Sequence, residues 1–212
     1  MTAVTPFQPN PKFTTLATDD VVERTKKALE GHGFEVFVVD SAADAKAKVV
    51  ELIPAGAEVM TNASKTLDDT GISAEINESG RYDALRPKLM AIYGDPTKKR
   101  EQRKLAAAPD YSLGSVAAVT EDGSVVIASA SGSQLGQYPY AAGKVIWVVG
   151  THKIVRDEAE AQLRLKEHAL PLESERALAA YGFNSVILKV LTIHGERPGR
   201  YTLILIREAI GF

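Results

Sequence analysis

The stretch GFEVFVVDSAADAKAKVVELIPAGAEVMT, residues 33–61, predicts two buried strands with one amphipathic helix between them. The apolar runs FEVFVV (34–39) and AEVMT (57–61) have the length and composition of buried strands. Ser41 is suited to cap the intervening helix, whose apolar face carries Ala45, Val49, Leu52 and Ile53. A strand–helix–strand unit implies a parallel pair of strands joined by a right-handed crossover. The stretch therefore indicates an α/β fold.

The segments around this unit continue the mixture of strands and helices. Residues 1–18 are rich in proline and predict an extended N-terminal arm, with a helix expected directly after it. Residues 64–109 predict mainly helices and connections. The strand-like runs LGSVAAVT (113–120) and SVVIASA (124–130) flank Asp122-Gly123, a dipeptide that favours tight turns, and so predict a hairpin.

The C-terminal third predicts further strands around a helical segment. KVIWVV (144–149) is a buried strand, helices are expected over 155–168 and 173–181, and two strands, 186–193 and 201–206, end the chain. Strands that alternate with helices early and pair as hairpins later indicate a mixed sheet. We expect a single α/β domain over residues 19–212, with a mixed, largely parallel sheet flanked by helices.

The composition excludes several classes of function. The chain has 212 residues and a formal net charge of −2, which gives no electrostatic basis for binding nucleic acid or an anionic membrane. The absence of cysteine excludes disulfides, thiolate metal sites and cysteine-ligated iron–sulfur clusters within this chain. The first residues lack the pattern of a secretory signal, and no apolar run approaches the roughly 20 residues that span a bilayer. We expect a cytoplasmic protein without membrane insertion.

Three loops of small polar residues follow predicted strands. They are TNASKTLDDTG (61–71), SASGSQL (129–135) and GTHK (150–153). Ligands of α/β sheets bind outside the carboxyl ends of the parallel strands, where such loops lie. Backbone N–H groups, hydroxyls and bare glycines suit these loops to an anion, and Lys65 and Lys153 add positive charge. The three loops together predict a binding pocket for an anionic or polar group.

Each loop residue also has a structural interpretation. Ser64 or Thr66 alone is more typical of a helix cap than of a ligand contact. Gly150 alone is more typical of turn geometry. For Gly132 and Ser133, binding and structural roles are equally compatible with the sequence, because their loop is unusually long.

Motifs for common catalytic chemistry are absent from the sequence. Gln134 stands where a nucleophile elbow needs serine, and Val145 stands where a phosphate-binding loop needs serine or threonine. No dinucleotide fingerprint follows a strand. His152 is a candidate acid or base, although a surface or supporting role is more typical. The histidines have no metal-ligand spacing: His32, His152, His168 and His194.

Acidic residues beside the loops are the remaining candidates for proton transfer. Asp68 and Asp69 lie in the first loop, and Glu121 and Asp122 lie near the second. Asp122 is already explained by the hairpin turn, and exposed acids on helices are common. The sequence therefore identifies no catalytic residue and no metal site.

Five stretches of the sequence resemble the LUD-domain family of lactate-utilisation proteins. They are TNASKTLDDTG (61–71), LGSVAAVTEDGSVVIASASGSQL (113–135), KVIWVVGTHKIV (144–155), LPLESERA (170–177) and PGRYTLILIREAIGF (198–212). The resemblance extends over most of the chain from about residue 19. It implies a fold similar to that of ribose-phosphate isomerases, glucosamine-phosphate deaminases and CoA-transferases.

The resemblance also implies ligand-binding residues and a biological role. The implied residues are Asn62, Ser64 and Thr66 in the first loop, Gly132, Ser133 and Gln134 in the second, and Gly150 and Lys153 in the third. Glu173 falls in a matching stretch, where a structural role is the alternative to ligand contact. The family's role is a three-component system that oxidises lactate to pyruvate. Larger members carry cysteine clusters, so this chain resembles the small member without clusters, and any iron–sulfur clusters belong to partner subunits.

Three functions fit these observations. The first is an accessory protein of lactate or related organic-acid oxidation, which binds a small anionic metabolite or docks to iron–sulfur oxidoreductase subunits. The second is a transferase or isomerase acting alone on a phosphorylated or CoA-linked small molecule. The third is a structural scaffold whose loops are empty turns. None requires a cofactor in this chain, and the sequence pattern specifies no oligomeric state.

Overall fold

The computed structural model describes residues 8–212. The strands in this part of the chain are β1 (Glu35–Val39), β2 (Glu58–Thr61), β3 (Asp83–Ala84), β4 (Tyr111–Gly114), β5 (Ala118–Thr120), β6 (Val125–Ser129), β7 (Lys144–Gly150), β8 (Ile154–Val155), β9 (Lys189–Ile193) and β10 (Tyr201–Ile206). The α-helices are α1 (Asp19–Gly31), α2 (Ala42–Leu52), α3 (Lys65–Asp69), α4 (Ile72–Glu78), α5 (Leu85–Ala91), α6 (Lys99–Leu105), α7 (Glu158–Arg164) and α8 (Leu170–Tyr181). Short 3-10 turns lie at Pro11–Thr14, Pro96–Lys98 and Thr151–Lys153, and π-helical turns at Gln137–Ala141 and Leu165–Ala169.

The main sheet has six strands, all parallel, in the order β1-β10-β7-β4-β2-β3. This architecture confirms the predicted α/β class with a largely parallel sheet flanked by helices. The predicted parallel direction of β1 and β2 is also confirmed. Their direct pairing is wrong, because β10, β7 and β4 lie between them. These inserted strands come from later in the chain, where local pattern carries no information about strand order.

A second, smaller sheet has the order β8-β5-β6-β9 and contains the antiparallel pairs. The predicted hairpin at Asp122-Gly123 is confirmed as β5 and β6. Its first strand is shorter than predicted, because the run 113–120 divides at residues 115–117. The N-terminal part of this run joins the main sheet as the end of β4, and the C-terminal part joins the second sheet as β5.

The expected pairing of the last two strands as a hairpin is wrong. β9 pairs with β6 in the second sheet, whereas β10 lies between β1 and β7 in the main sheet. The burial of the two strands explains the difference. All six residues of β10 are buried, which suits a strand covered on both faces, whereas β9 exposes Lys189 and Val190.

The core lies on the two faces of the main sheet. Along β7, Val145, Trp147 and Val149 point to one face and Ile146 and Val148 point to the other, as the two-residue period of a strand requires. The first face packs against α1 and the second sheet. The opposite face packs against α2, α3 and α4. The outer face of the second sheet is covered by α7.

The N-terminal segment packs against the helical region formed by α7, the π-helical turn at Leu165–Ala169 and α8. Residues 1–7 of the predicted arm fall outside the described residues, and the proposed boundary after residue 18 stays a prediction. Within the described part, Phe13 is buried beside Ala161 of α7. Helices α7 and α8 are joined through the π-helical turn at Leu165–Ala169. In residues 8–212, no helix combines the length and apolar character needed to cross a membrane.

Candidate functional site

The carboxyl ends of the parallel strands form one edge of the main sheet, and two of the three predicted loops lie there. The first loop follows β2 at Thr61, and the third follows β7 at Gly150. The second loop follows β6, which belongs to the smaller sheet. The structure therefore places only the first and third loops directly at the edge where α/β proteins bind ligands.

A polar cleft of about 230 Å³ opens beside the first loop. Its walls come from the loop itself and from α4, α5 and α8. The lining residues are Thr61, Asn62, Ala63, Ser64, Lys65, Asp68, Ser73, Asn77, Arg86 and Arg176. Two of the predicted ligand-binding residues, Asn62 and Ser64, thus share one cleft with three cationic side chains.

The cationic side chains of the cleft differ in how far they are neutralised. Lys65 forms an ion pair with Asp69 one helical turn later. Arg176 forms a two-point ion pair with Glu173, at 2.7 Å for each nitrogen–oxygen contact. Arg86 has no hydrogen bond or ion pair to any of the described residues. All N–H groups of its guanidinium are therefore available to donate hydrogen bonds to a ligand in the cleft.

Asn62 is held in place by a hydrogen-bond network below the cleft. Its Nδ2 donates to Ser112 Oγ at 3.0 Å and to the Leu113 carbonyl at 3.1 Å. Ser112 Oγ donates to Gln137 Oε1 at 2.6 Å, and Tyr138 Oη lies 3.3 Å from Asn62 Nδ2. Burial raises the pKa of Tyr138 well above its usual range, so its hydroxyl keeps its proton. The network fixes the side-chain amide of Asn62 directly after the C-terminal end of β2.

Ser64 has the structural role that its sequence position also allowed. Its Oγ accepts a hydrogen bond from the backbone N–H of Leu67 at 3.3 Å, which makes it the N-cap of α3. Because Ser64 also lines the cleft, the cap and a ligand contact are compatible in this geometry. Asn77 supports the same wall through a hydrogen bond from its Nδ2 to Thr61 Oγ1 at 3.0 Å.

Thr66 and Lys153 meet each other away from the cleft. Lys153 is 1% exposed, and its Nζ donates to Thr66 Oγ1 at 3.0 Å and to Ser115 Oγ at 3.1 Å. Burial and the nearby charge of Arg164 lower the pKa of Lys153 well below its usual range, with Asp69 acting in the opposite direction. Burial thus opposes the charged form of Lys153 and weakens the contribution that we expected from it to a cationic loop.

Gly150 is required by close packing at the end of β7. A Cβ at this position would lie 2.6 Å from the carbonyl oxygen of Glu208 and 2.7 Å from the imidazole of His152. Burial, followed by the charges of Lys153 and Arg164, lowers the pKa of His152 to about 3. His152 is therefore neutral in the folded protein at ordinary pH.

Gly132, Ser133 and Gln134 form a loop that is separate from the cleft. Gly132 has φ +83°, and its N–H donates to Ser129 Oγ at 2.8 Å. Gln134 Oε1 accepts from the same hydroxyl at 3.0 Å. The loop reaches the network of Asn62 through the Ser133 carbonyl, which lies 3.4 Å from Gln137 Nε2. None of the three residues lines the cleft.

The acidic candidates are distributed over several places. Asp68 lines the cleft, whereas Asp69 is paired with Lys65. Glu121 forms an ion pair with Arg24 at 2.7 Å, and Asp122 accepts a hydrogen bond from Thr120 within the hairpin. Among residues 8–212, no three histidine or acidic side chains are grouped as metal ligands.

Sequence reasoning missed several residues of the site. Arg86 and Arg176 come from helices α5 and α8, and neither lies in a loop that follows a strand. Ser112 and Gln137 support Asn62 from below. Only Arg176 could have been found from the sequence, because it lies in LPLESERA, one of the stretches that resemble the LUD-domain family, three residues after Glu173.

Comparisons with known proteins agree with the fold and extend over nearly the whole described chain. The model of the LUD domain family matches residues 22–206. A crystal structure of a DUF162 family protein from Deinococcus radiodurans is similar in fold, with a TM-score of 0.55 and 12% sequence identity. That match covers 91% of this chain and 99% of the other. A comparison with curated proteins found no match. Because the family match covers most of its length, the chain belongs to the LUD domain family.

Proposed function

We propose that the protein binds a small anionic metabolite in the cleft beside the first loop, as an accessory component of lactate or related organic-acid oxidation. The carboxylate or phosphate of the ligand contacts Arg86, and Asn62 and Ser64 contact its other polar groups. This role extends the family membership to a particular ligand class. We place its activity in the cytoplasm.

The guanidinium of Arg86, which has no partner among residues 8–212, is the observation that carries this proposal. Arginine binds carboxylates and phosphates through two parallel hydrogen bonds, which makes it suited to small oxyanions. Lys65 and Arg176 also line the cleft, but each is paired with an acid, so Arg86 is the cation that remains available to a ligand. Asn62 adds a polar group that is already oriented by Ser112 and the Leu113 carbonyl, so little ordering is needed when a ligand binds.

The other predicted site residues enter the proposal with smaller roles. Thr66, Gly150 and Lys153 support the edge of the sheet on which the cleft is built. Gly132, Ser133 and Gln134 could contact only a ligand that extends beyond the cleft towards Gln137. We therefore expect Ser133→Ala to leave the affinity for a compact anion such as pyruvate unchanged.

Docking to iron–sulfur oxidoreductase subunits is a second part of the proposed role. The chain contains no cysteine, so any electron transfer through iron–sulfur clusters takes place in a partner. An exposed apolar surface supports a docking role. It consists of Val186, Leu188 and Val190, every second residue of the extended chain that leads into the edge strand β9.

A transferase or isomerase acting alone is the alternative, and one observation favours it. Asp68 places a carboxylate in the lining of the cleft, within the same small volume as Arg86. Such a carboxylate is what proton or group transfer on an anionic substrate requires. Turnover of a bound sugar phosphate or CoA ester that is lost in Asp68→Asn would establish this alternative.

The test is a thermal-unfolding screen with lactate, pyruvate, sugar phosphates, folates, nucleotides and CoA esters. A ligand at about a hundredfold its dissociation constant stabilises by about 2.7 kcal/mol. For a chain of this size, that is a rise of roughly 5–10 °C in melting temperature. We expect Arg86→Gln to abolish the rise, because the substitution removes the charged donor of the cleft.

The matched control is Arg103→Gln, which removes an exposed arginine of α6 that does not line the cleft. This variant should retain the full ligand-induced rise. A ligand that stabilises Arg86→Gln as strongly as the wild type would exclude the cleft as its site. No stabilisation by any compound in the panel would contradict metabolite binding and leave the docking role.

A further inference from the structure

A second pocket, of about 250 Å³, lies at the opposite edge of the main sheet from the cleft of Arg86. Its polar lining residues stand at the amino ends of parallel strands. Glu35 begins β1, Lys144 begins β7, and Thr202 is the second residue of β10. The cleft of Arg86 follows the carboxyl end of β2, and the two pockets share no lining residue. This pocket is therefore a separate cavity.

The strand register places the lining side chains on one face of the sheet. Glu35 pairs with Thr202, and Thr202 pairs with Ile146, so the three form a row across β1, β10 and β7. Lys144 lies two residues before Ile146 and therefore points to the same face. Tyr111, which begins β4, is the register partner of Lys144. The side chains meet on the face of the sheet that packs against α2.

The lining of this pocket combines apolar residues with charged ones. Ile146 is buried, and Leu52 at the end of α2 and Tyr111 of β4 are partly buried. Glu35 and Lys144 are exposed, so their charged groups remain hydrated and keep their charge at no cost of burial. A small molecule that has both an apolar part and charged groups suits this lining.

The two charges of the pocket are opposite in sign and are not paired with each other. Neither the carboxylate of Glu35 nor Nζ of Lys144 forms an ion pair with any of residues 8–212. Glu35 Oε2 accepts a hydrogen bond at 3.1 Å from the hydroxyl of Thr202, which is only 9% exposed and so orients the carboxylate. Two strand spacings of about 4.8 Å and a rise of two residues put the Cα atoms of Glu35 and Lys144 roughly 12 Å apart. This separation leaves room for a ligand between the two charges.

We propose that this pocket binds a small zwitterion, an amino acid with an apolar side chain. The ammonium group of the ligand donates to the carboxylate of Glu35, and its carboxylate accepts a hydrogen bond from Nζ of Lys144. Its side chain contacts Leu52 and Ile146. Such a ligand pairs both charged groups at once and adds no net charge to the pocket. Because no residue of this pocket lines the cleft of Arg86, the inference is independent of the proposed function.

The experiment is isothermal titration calorimetry of the full chain with leucine and two analogues of the same shape. Leucinamide lacks the carboxylate, and 4-methylpentanoate lacks the ammonium group. The chain carries Arg86→Gln, so that a carboxylate in the cleft does not contribute to the heat. We expect leucine to bind with a dissociation constant of roughly 0.1–1 mM, as its size allows. Each analogue should bind about tenfold more weakly, because it loses one hydrogen bond to a charged group.

Two further substitutions in the same background assign the ends of the ligand to their partners. In Lys144→Met, leucine and leucinamide should bind equally, because the partner of the carboxylate is gone. In Glu35→Gln, leucine and 4-methylpentanoate should bind equally, because the charged partner of the ammonium group is gone. Both residues are exposed, so both variants should keep the melting temperature of the parent. Lys99→Gln and Glu23→Gln, at exposed positions outside the pocket, are the matched controls and should keep the preference for leucine over both analogues.

Two results would overturn the inference. One is the absence of saturable leucine binding in the Arg86→Gln protein, including the case in which the wild type binds leucine, since the amino acid then occupies the cleft. The other is a preference for leucine over its analogues that Lys144→Met and Glu35→Gln leave unchanged. The test of the cleft depends on Arg86 and on anions, so its failure would not alter the result for this pocket.

Discussion

At the scale of single residues, the close packing of the strand ends in the main sheet requires glycine at positions where no larger side chain fits. Gly114 at the end of β4 is one of them, because a Cβ there would lie 2.0 Å from Tyr138 Oη and 3.8 Å from Asn62 Cβ. Gly150 is another, packed against Glu208 and His152. The small residues that the sequence pattern interprets as ligand contacts thus also allow the strand ends to approach their neighbours.

Gly114→Ala is expected to destabilise the protein by about 1–3 kcal/mol, because the added methyl group overpacks a buried position. Adding Tyr138→Phe removes the clashing hydroxyl and should restore part of the loss. Urea unfolding of the single and double variants checks this. Gly136→Ala is the control, because a Cβ there meets nothing within 4 Å. Equal stability of Gly114→Ala and Gly136→Ala would contradict the packing described here.

Glu160 is expected to make stability depend on pH in the acid range. Burial raises its pKa, but hydrogen bonds from Lys12 and Arg156 outweigh this effect and bring the pKa to about 2. When the pKa of a carboxyl group is lower in the folded state than in the unfolded state, the group stabilises the folded protein. This stabilisation is complete at pH values above the unfolded-state pKa. This stabilisation is then lost as the pH falls from 4.5 towards about 2.

Glu160→Gln should therefore lower the free energy of unfolding at neutral pH and flatten its decline between those two pH values. Urea unfolding across this range measures both effects. Glu78→Gln is the matched control, because Glu78 is exposed at the end of α4. A decline of the same steepness in Glu160→Gln and in the wild type would assign the acid sensitivity to other groups.

At the scale of elements, the two sheets meet at the crossing segment between β4 and β5. The run 113–120 predicts one strand, because its apolar residues continue without a break. In the structure the segment 115–117 changes sheets, where Lys153 contacts Ser115 and Arg164 contacts Ala117. These contacts are distant in sequence, so no local pattern could locate the break. β9, by contrast, is the open edge of the second sheet, with β6 as its neighbour.

Leu188→Lys is expected to weaken capture of the protein by co-expressed iron–sulfur subunits, because it places a charge in the exposed apolar surface before β9. Leu188 is 69% exposed, so the substitution should leave the melting temperature unchanged. Affinity purification of the complex measures capture. Met90→Lys on α5 is the control, as an apolar residue that is exposed elsewhere. Equal capture of the wild type and Leu188→Lys would remove this surface from the proposed interface.

At the scale of the whole molecule, the sequence predicts the fold class well and the site in part. KVIWVV and YTLILI are recognisable strands because a parallel sheet buries both of their faces. FEVFVV is recognisable by its apolar and β-branched residues, although β1 is an edge strand whose residues other than Val36 are exposed or only partly buried. The order of the strands and the division into two sheets depend on contacts far apart in the chain. The same reason applies to the site. Asn62 and Ser64 follow a predicted strand, whereas Arg86 reaches the cleft from a helix without any local motif.

The most direct test of metabolite binding in the cleft is a ¹⁵N NMR titration of the wild-type chain with pyruvate, lactate and phosphate. We expect saturable shifts in the backbone amides of residues 62–65 and in the side-chain Nε–H of Arg86, with smaller changes at Ser133. The same titration of Arg86→Gln should leave the amides of residues 62–65 unshifted. Shifts confined to other parts of the chain, or shifts that persist in Arg86→Gln, would contradict the assignment of the ligand to this cleft.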